Sequence, residues 1–393
     1  MAILEYDAFL PSNMRQQVFP LLVFILMSGC MVTAGCTGLL TSEGPLTRYV
    51  VSAPHSPTVV PSHSPVSVPA TPALTTPETP EITLTPTEDP YSYNQIRVVP
   101  RADDTVEYRT FNFRYRTVDY SVRLPLNTSI LYAANASSNK HMIIDSKEVG
   151  LFYQQMTDDP AMESFYSDIL REIRKQRYKG GQTLTDDEYL EFLVSFVQQI
   201  PYDNTTTGNP RYPIEVISDQ KGDCDEKSIL LTGLLSREGY DVGLLIFPTL
   251  NHATAGIRIH LATNKPSFRV FSDMKRDYVY IETTTTRLIG FYNDEYEKAP
   301  APIIVPVGKG TLLYGKVNYV MSIFYDIQTI KSNMKALEER AGAAHTLQQW
   351  DYDAYVSYVN TYNFVMSTND RVEAMKQIRE SELPHNSACM SCN

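Results

Sequence analysis

Lys221-Gly222-Asp223-Cys224-Asp225-Glu226-Lys227-Ser228 stands immediately ahead of an apolar helical run, Ile229 to Leu235. The stretch reads as a turn into a helix that carries a thiol in its first turn. Unpaired backbone N–H groups at a helix N-terminus favour the thiolate, and a free thiol has a pKa of about 8.5. Gly222 suits the tight turn before the helix, and Gly239, after Arg237-Glu238, suits its end. The Cys224 N–H is then placed to face an oxyanion.

Working outward, an apolar strand, Val242 to Phe247, leads to Asn251-His252, and a second strand runs from Ala253 to Ile259. A third, Tyr278-Val279-Tyr280-Ile281, is closed by Glu282. Cysteine, then histidine, then acid is the order that a thiol nucleophile, an imidazole base and a carboxylate orienter require. Neighbouring strands lie under about 5 Å apart, so positions on two of them can share a hydrogen bond. Singly, a buried cysteine or a histidine at a strand end is commonplace. Together on a helix–strand–strand frame they point to acyl transfer. The three are far apart in sequence and lack a CxxC or HExxH pattern, so neither metal nor cofactor is expected at this site. Besides the Cys224 N–H, an oxyanion donor is expected from the preceding helix and loop. Tyr202 ranks first, ahead of Gln199 and Gln198.

The stretch 189–286 resembles the transglutaminase-like superfamily, which shares the papain-like cysteine-protease core. The residues that carry the resemblance are Phe196 to Tyr202, Arg211-Tyr212-Pro213-Ile214-Glu215, Gly222-Asp223-Cys224-Asp225, His252 and Ile281-Glu282-Thr283-Thr284. It is most similar to the archaeal and bacterial secreted branch, where a Gly-Asp-Cys segment follows an Arg-Tyr-Pro segment. The resemblance implies an α+β core with helices packed on an antiparallel sheet. It also implies Cys224 as nucleophile, His252 as base and Glu282 as third member, acting through an acyl-thioester. Asp is commoner than Glu at the third position. Water as acceptor makes a peptidase or amidase, and an amine makes a transglutaminase; hydrolysis is the simpler outcome in water. The sole tryptophan, Trp350, lies outside this core, which removes a transglutaminase-type tryptophan from the oxyanion site. Transglutaminase-like folds also occur without activity. A silent surface binding or scaffolding protein is therefore the alternative, and a wall-associated structural protein with Cys224 in its core is a third.

The setting is read from charge and cysteines. A net charge of −11 without long basic runs argues against nucleic acid as the partner; a protein or peptide substrate is what the resemblance implies. Residues 18–34 are almost wholly apolar and follow Arg15, as in a signal segment. Glu5 and Asp7 fit such a segment poorly, whereas Met14 suits its start. Ala34-Gly35-Cys36 resembles the lipobox of lipoproteins, with Cys36 as the lipidated residue. Cys30 is a second candidate, and an uncleaved membrane helix is the alternative anchor. The expected location is the outer face of the cytoplasmic membrane. Residues 37–92 are dense in Pro, Ser and Thr and read as a disordered stalk. Cys389 and Cys392 form a terminal CxxC that, with His385, suits a disulfide or a metal equally, and no function is assigned to it.

The expected organisation is thus export segment (1–36), stalk (37–92), β-rich part (93–145), catalytic core (146–313) and C-terminal helical hairpin (314–393). A β-hairpin is expected over 106–126, with helices over 147–155, 161–177 and 186–199. Thr185 and Glu188 form a capping box for the last. Val320, Ile323, Ile327, Ile330, Met334 and Leu337 make a seam that suits either internal packing or dimerisation.

Overall fold

A computed structural model describes residues 98–102, 105–137, 148–178, 183–205, 209–260, 268–273, 276–308, 310–344 and 349–389. The export segment with Cys30 and Cys36, the stalk as far as residue 92, and Cys392 lie outside the described residues. Among the described residues no helix is long and apolar enough to cross a membrane. The fold is α+β, with helices packed on antiparallel sheets, as the sequence predicts.

β1 (Val106–Tyr115) and β2 (Val118–Asn127) form the expected hairpin, with Tyr115 opposite Val118 across a two-residue turn. Arg116 takes φ 54° to close it, a left-handed conformation that the twist of a tight hairpin requires. Strand period two buries Phe111, Phe113 and Tyr115 on one face. That face meets α4, and Phe113 packs edge-on against Phe192 (5.1 Å) and Phe196 (5.4 Å). After the hairpin come α1 (Thr128–Asn135), α2 (Val149–Thr157), α3 (Met162–Arg174), α4 (Asp186–Gln198) and α5 (Pro213–Asp219). The Thr185–Glu188 capping box is formed at the start of α4. Helices α1 and α5 were not expected; both are short.

Helix α6 (Cys224–Arg237) starts on Cys224 and stops at Gly239, whose φ of +87° only glycine adopts without strain. Leu230, Leu231, Leu234 and Leu235 are fully buried, each stabilising the fold by about 1.5–3 kcal/mol. At Gly233 a Cβ would lie 2.0 Å from the Tyr166 hydroxyl, so α3 presses its tyrosine onto the α6 backbone.

The main sheet is wholly antiparallel, in the order β5-β6-β4-β3-β7. Its members are β3 (Val242–Phe247), β4 (His252–Ile259), β5 (Phe271–Ser272), β6 (Asp277–Ile281) and β7 (Ile303–Val307). Helix α6 packs on β4 and β3. The short α7 (Asp294–Lys298) lies between β6 and β7 in sequence. β5 and β7 go beyond the expected three strands. Pro306 in it is tolerated because the strand is an edge.

The expected C-terminal hairpin is present as α8 (Val317–Ala344) and α9 (Gln349–Val365), and a third helix, α10 (Arg371–Cys389), packs on both. The α8 seam turns inward: Val320, Ile323, Ile327 and Ile330 join the main core. Buried Glu191 of α4 ties this region to the rest. It accepts hydrogen bonds from Tyr115 (3.1 Å), Tyr314 (2.8 Å) and Arg371 of α10 (3.1 Å). The seam therefore serves internal packing.

Candidate active site

Cys224 is held by a charged clamp. Asp223 caps α6 by accepting the Glu226 N–H (3.1 Å), and Glu226 Oε2 accepts the Asp223 N–H in return (3.0 Å). Arg211 then grips Glu226 with three donors. Its backbone N–H and Nε reach Oε1 (2.9 and 2.8 Å), and Nη2 reaches Oε2 (2.7 Å). Arg211 also donates to Asp219 (2.7 Å) and Asp203 (3.1 Å), and Lys221 pairs with Asp203 at 3.0 Å. Thr205 and Lys221 hold Asp203 well below the usual carboxylate range. In this chain the arginine of the Arg-Tyr-Pro segment fixes the turn that sets the thiol.

Gly222 fits a tight approach rather than a left-handed turn. Its N–H donates to Pro201 O and its carbonyl accepts the Asp203 N–H, both at 3.0 Å, so Tyr202 lies ladder-fashion along the cysteine turn. A Cβ at Gly222 would sit 3.1 Å from Val216 and 3.2 Å from Lys227.

The thiol departs from expectation. Burial pushes Cys224 up to about 12, Asp225 and Asp223 add to it, and the N–H groups of Ala253 and Asp225 oppose it only in part. The helix terminus is thus outweighed by desolvation and by two flanking carboxylates. Tyr153 donates to Asp225 at 2.6 Å beside the thiol. The Ser228 hydroxyl of α6 lies 2.5 Å from the Cys224 carbonyl and 3.2 Å from the Ala253 carbonyl, which sets the head of β4 beside the start of α6.

His252, at the head of β4, sits among aromatic rings. Its ring centroid is 5.1 Å from Tyr296 of α7 and 6.4 Å each from Phe247 and Tyr280. Burial lowers its pKa, while Glu282 and Glu295 pull the other way. Glu282 is buried just past β6, but it does not meet the imidazole directly. His252 Nε2 lies 3.1 Å from the Tyr280 hydroxyl, and that hydroxyl donates to Glu282 Oε2 at 3.0 Å. The expected direct contact between acid and imidazole is replaced by a bridge. Glu282 Oε1 accepts from the Thr284 N–H (2.8 Å) and hydroxyl (2.6 Å), which holds the carboxylate toward Tyr280. Of the other acids near this strand, Asp273 pairs with Arg276 (3.1 Å) and Asp277 with Ser272 (2.6 Å).

Two of the three oxyanion candidates are engaged elsewhere. Gln198 is buried and donates to the carbonyls of Glu282 and Arg287, each at 2.9 Å. Gln199 donates to Arg114 O (2.7 Å) and Ser195 O (3.0 Å), pinning the β-hairpin to α4. Both side-chain amides are taken up by these contacts. Tyr202 remains: it is half exposed, and burial followed by the nearby Cys224 sulfur raises its hydroxyl to about 12. Sequence reading missed Tyr280 and Tyr296. The first was detectable from its spacing, since residues two apart on a strand share a face. The second comes from a five-residue helix with no pattern of its own. Lys227 was also missed. It is fully buried, donates to Gln198 O (3.1 Å) and Ile200 O (2.7 Å), and burial lowers it to about 8, with Glu282 opposing.

Among the described residues no cluster of His, Cys, Asp and Glu is arranged to hold a metal ion. No protein-family model matches the chain, and no curated protein matches it. Among solved structures, Legionella pneumophila LapG is similar at 14% identity, covering 46% of this chain and 98% of that one, with a TM-score of 0.24. EGTA-treated L. pneumophila LapG is 15% identical over the same shares, with a TM-score of 0.23. Calcium-bound L. pneumophila LapG is 19% identical, covering 34% of this chain and 77% of that one, with a TM-score of 0.20. Likeness at this depth carries no inference about activity, substrate or cation.

Proposed function

We propose that this chain is a transglutaminase-like thiol enzyme that takes an acyl group from an amide or peptide onto Cys224. The single observation that carries the reading is the meeting of three elements at one place. The N-terminus of α6 brings the thiol, the head of β4 brings the imidazole beside it through Ser228, which touches both the Cys224 and Ala253 carbonyls, and the end of β6 brings a buried acid linked to that imidazole. With a raised thiol and a depressed imidazole, both groups rest neutral. His252 then removes the thiol proton as sulfur attacks the carbonyl, and returns it to the leaving amine. The Cys224 N–H and the Tyr202 hydroxyl are the oxyanion donors in this scheme. Water as acceptor makes the reaction a hydrolysis. Export, lipidation at Cys36 and a protein or peptide substrate at a cell surface belong to the same proposal. They are supported by the apolar 18–34 segment, the Ala34-Gly35-Cys36 site and the acidic composition. The raised thiol is the observation that favours the silent scaffold instead.

The two separate by acylation with p-nitrophenyl acetate, which needs no knowledge of the substrate. Thiol attack on its carbonyl releases p-nitrophenol and leaves an acetyl thioester. The enzyme reading expects a nitrophenol burst with the acetyl group mapped to the Cys224 peptide, lost in Cys224→Ala and slowed in His252→Ala. A scaffold shows neither burst nor acetylated Cys224. Adding an amine such as glycine methyl ester to the acetylated protein then reports the acceptor: faster deacylation with an amide product means transamidation.

A further inference from the structure

β4 and β6 are antiparallel with Gly256 opposite Tyr280, so His252, Thr254 and Gly256 share a face with Tyr280 and Glu282. Glycine at 256 leaves no side chain opposite the Tyr280 ring. The Tyr280 hydroxyl is buried and has a single proton. Glu282 is held by two donors from Thr284 on its other oxygen, and it is the acceptor for that proton. The Thr254 hydroxyl, also against the phenol, has its own proton on the Ile281 carbonyl. The phenol oxygen can therefore only accept from His252 Nε2. That fixes the imidazole tautomer with hydrogen on Nε2 and leaves Nδ1 as the base.

We propose that Tyr280 is the positioning residue through which Glu282 acts on His252, so that acid and imidazole work as a three-membered chain rather than a contact pair. The inference rests on the thiol chemistry proposed above. When the Cys224 proton moves to Nδ1, the imidazolium Nε2–H donates more strongly to the phenol oxygen. The phenol donates in turn to Glu282, and no proton has to leave its own heavy atom along the chain. Other ionisable groups around this pair are Tyr292, whose ring lies 6.0 Å from that of Tyr280, Glu295 and Tyr296 on α7, the Cys224 thiol on α6 and Lys227, held by the Gln198 and Ile200 carbonyls. None of them is placed between His252 Nε2 and Glu282 Oε2.

A double-mutant cycle on the full chain tests this, with acetylation of Cys224 by p-nitrophenyl acetate at pH 7.5 as readout. Glu282→Gln is expected to slow acetylation at least about tenfold when Tyr280 is present, and less than about twofold in a Tyr280→Phe background. A second readout is independent of rate. In 15N-imidazole NMR, His252 is expected as the Nε2–H tautomer in the wild type, and as a mixture in Tyr280→Phe. Additive effects of the two substitutions, or an unchanged tautomer in Tyr280→Phe, overturn the chain. Failure of the underlying reading looks different: His252→Ala then leaves Cys224 acetylation unchanged, whatever happens at Tyr280.

Discussion

The two banks of the site are built from opposite materials. On the cysteine side, Arg211, Glu226, Asp223, Asp203 and Lys221 form an ion network around a helix cap. On the histidine side, Phe247, Tyr280 and Tyr296 surround a ring whose nearest carboxylate is one hydroxyl away. Charge is used where a backbone must be fixed: Glu226 ties Arg211 to the Asp223 turn that aims the thiol, and Asp203 and Asp219 hold Arg211 in place. Aromatic packing is used where a protonation state must be fixed, because desolvation keeps the imidazole neutral until it receives a proton. Damage to the first bank should therefore cost folding, and damage to the second should cost chemistry.

The largest stability effect is expected at Glu226. Glu226→Ala leaves the mostly buried Arg211 guanidinium without its main partner and removes half of the capping box. Breaking a buried pair from one side costs about 3–5 kcal/mol, measurable as a fall in denaturant midpoint. Tyr280→Phe should cost less, about 1–3 kcal/mol for the buried polar atoms it strands, while its effect on acylation is disproportionate. Asp223→Ala removes the α6 cap alone, at about 0.5–2 kcal/mol. It also takes away one of the carboxylates that raise the thiol, so Cys224 should become more reactive as the fold becomes weaker. A separate effect is on pH dependence. The folded chain keeps Cys224 protonated up to about 12, while an unfolded thiol ionises near 8.5. Wild-type stability should therefore fall as pH rises from about 8.5 toward 12, and less so in Cys224→Ala, read as the change in midpoint between alkaline and neutral buffer. Equal alkaline losses in both proteins would mean that the thiol is not desolvated as described.

The start of α6 was legible in the sequence, the ion network around it was not, because Arg211 and Glu226 are fifteen residues apart, and the aromatic bank was legible only partly. Asp223 and Glu226 sit at capping-box spacing, and the apolar run after Cys224 announces the helix they cap. The apolar run of β3 and the residues of β4 fixed two strands and put His252 at a strand head. β7 was hidden because Pro302 and Pro306 read as loop, and edge pairing is what lets Pro306 into a strand. Helix α5 was hidden by its seven residues, too few to show a period. The thiol's direction was misjudged because helix position is local in sequence, whereas burial under Tyr153, Tyr296 and β4 is not. The bridge between His252 and Glu282 depends on strand register, which no single segment contains.

The central claim is that Cys224 and His252 rest neutral and act as nucleophile and general base, and the most direct measurement is the pH dependence of Cys224 alkylation. Iodoacetamide incorporation is mapped to the Cys224 peptide from pH 4.5 to 10 in the wild type and in His252→Ala. In the wild type the rate is predicted to rise through an inflection below about 6.5, where the partly buried imidazole loses its proton, and to level before a second alkaline rise. His252→Ala is predicted to lose the first inflection and keep only the alkaline one, set by the thiol itself. One alkaline rise, identical in both proteins, would contradict the account, because Cys224 would then be a buried thiol that His252 does not serve.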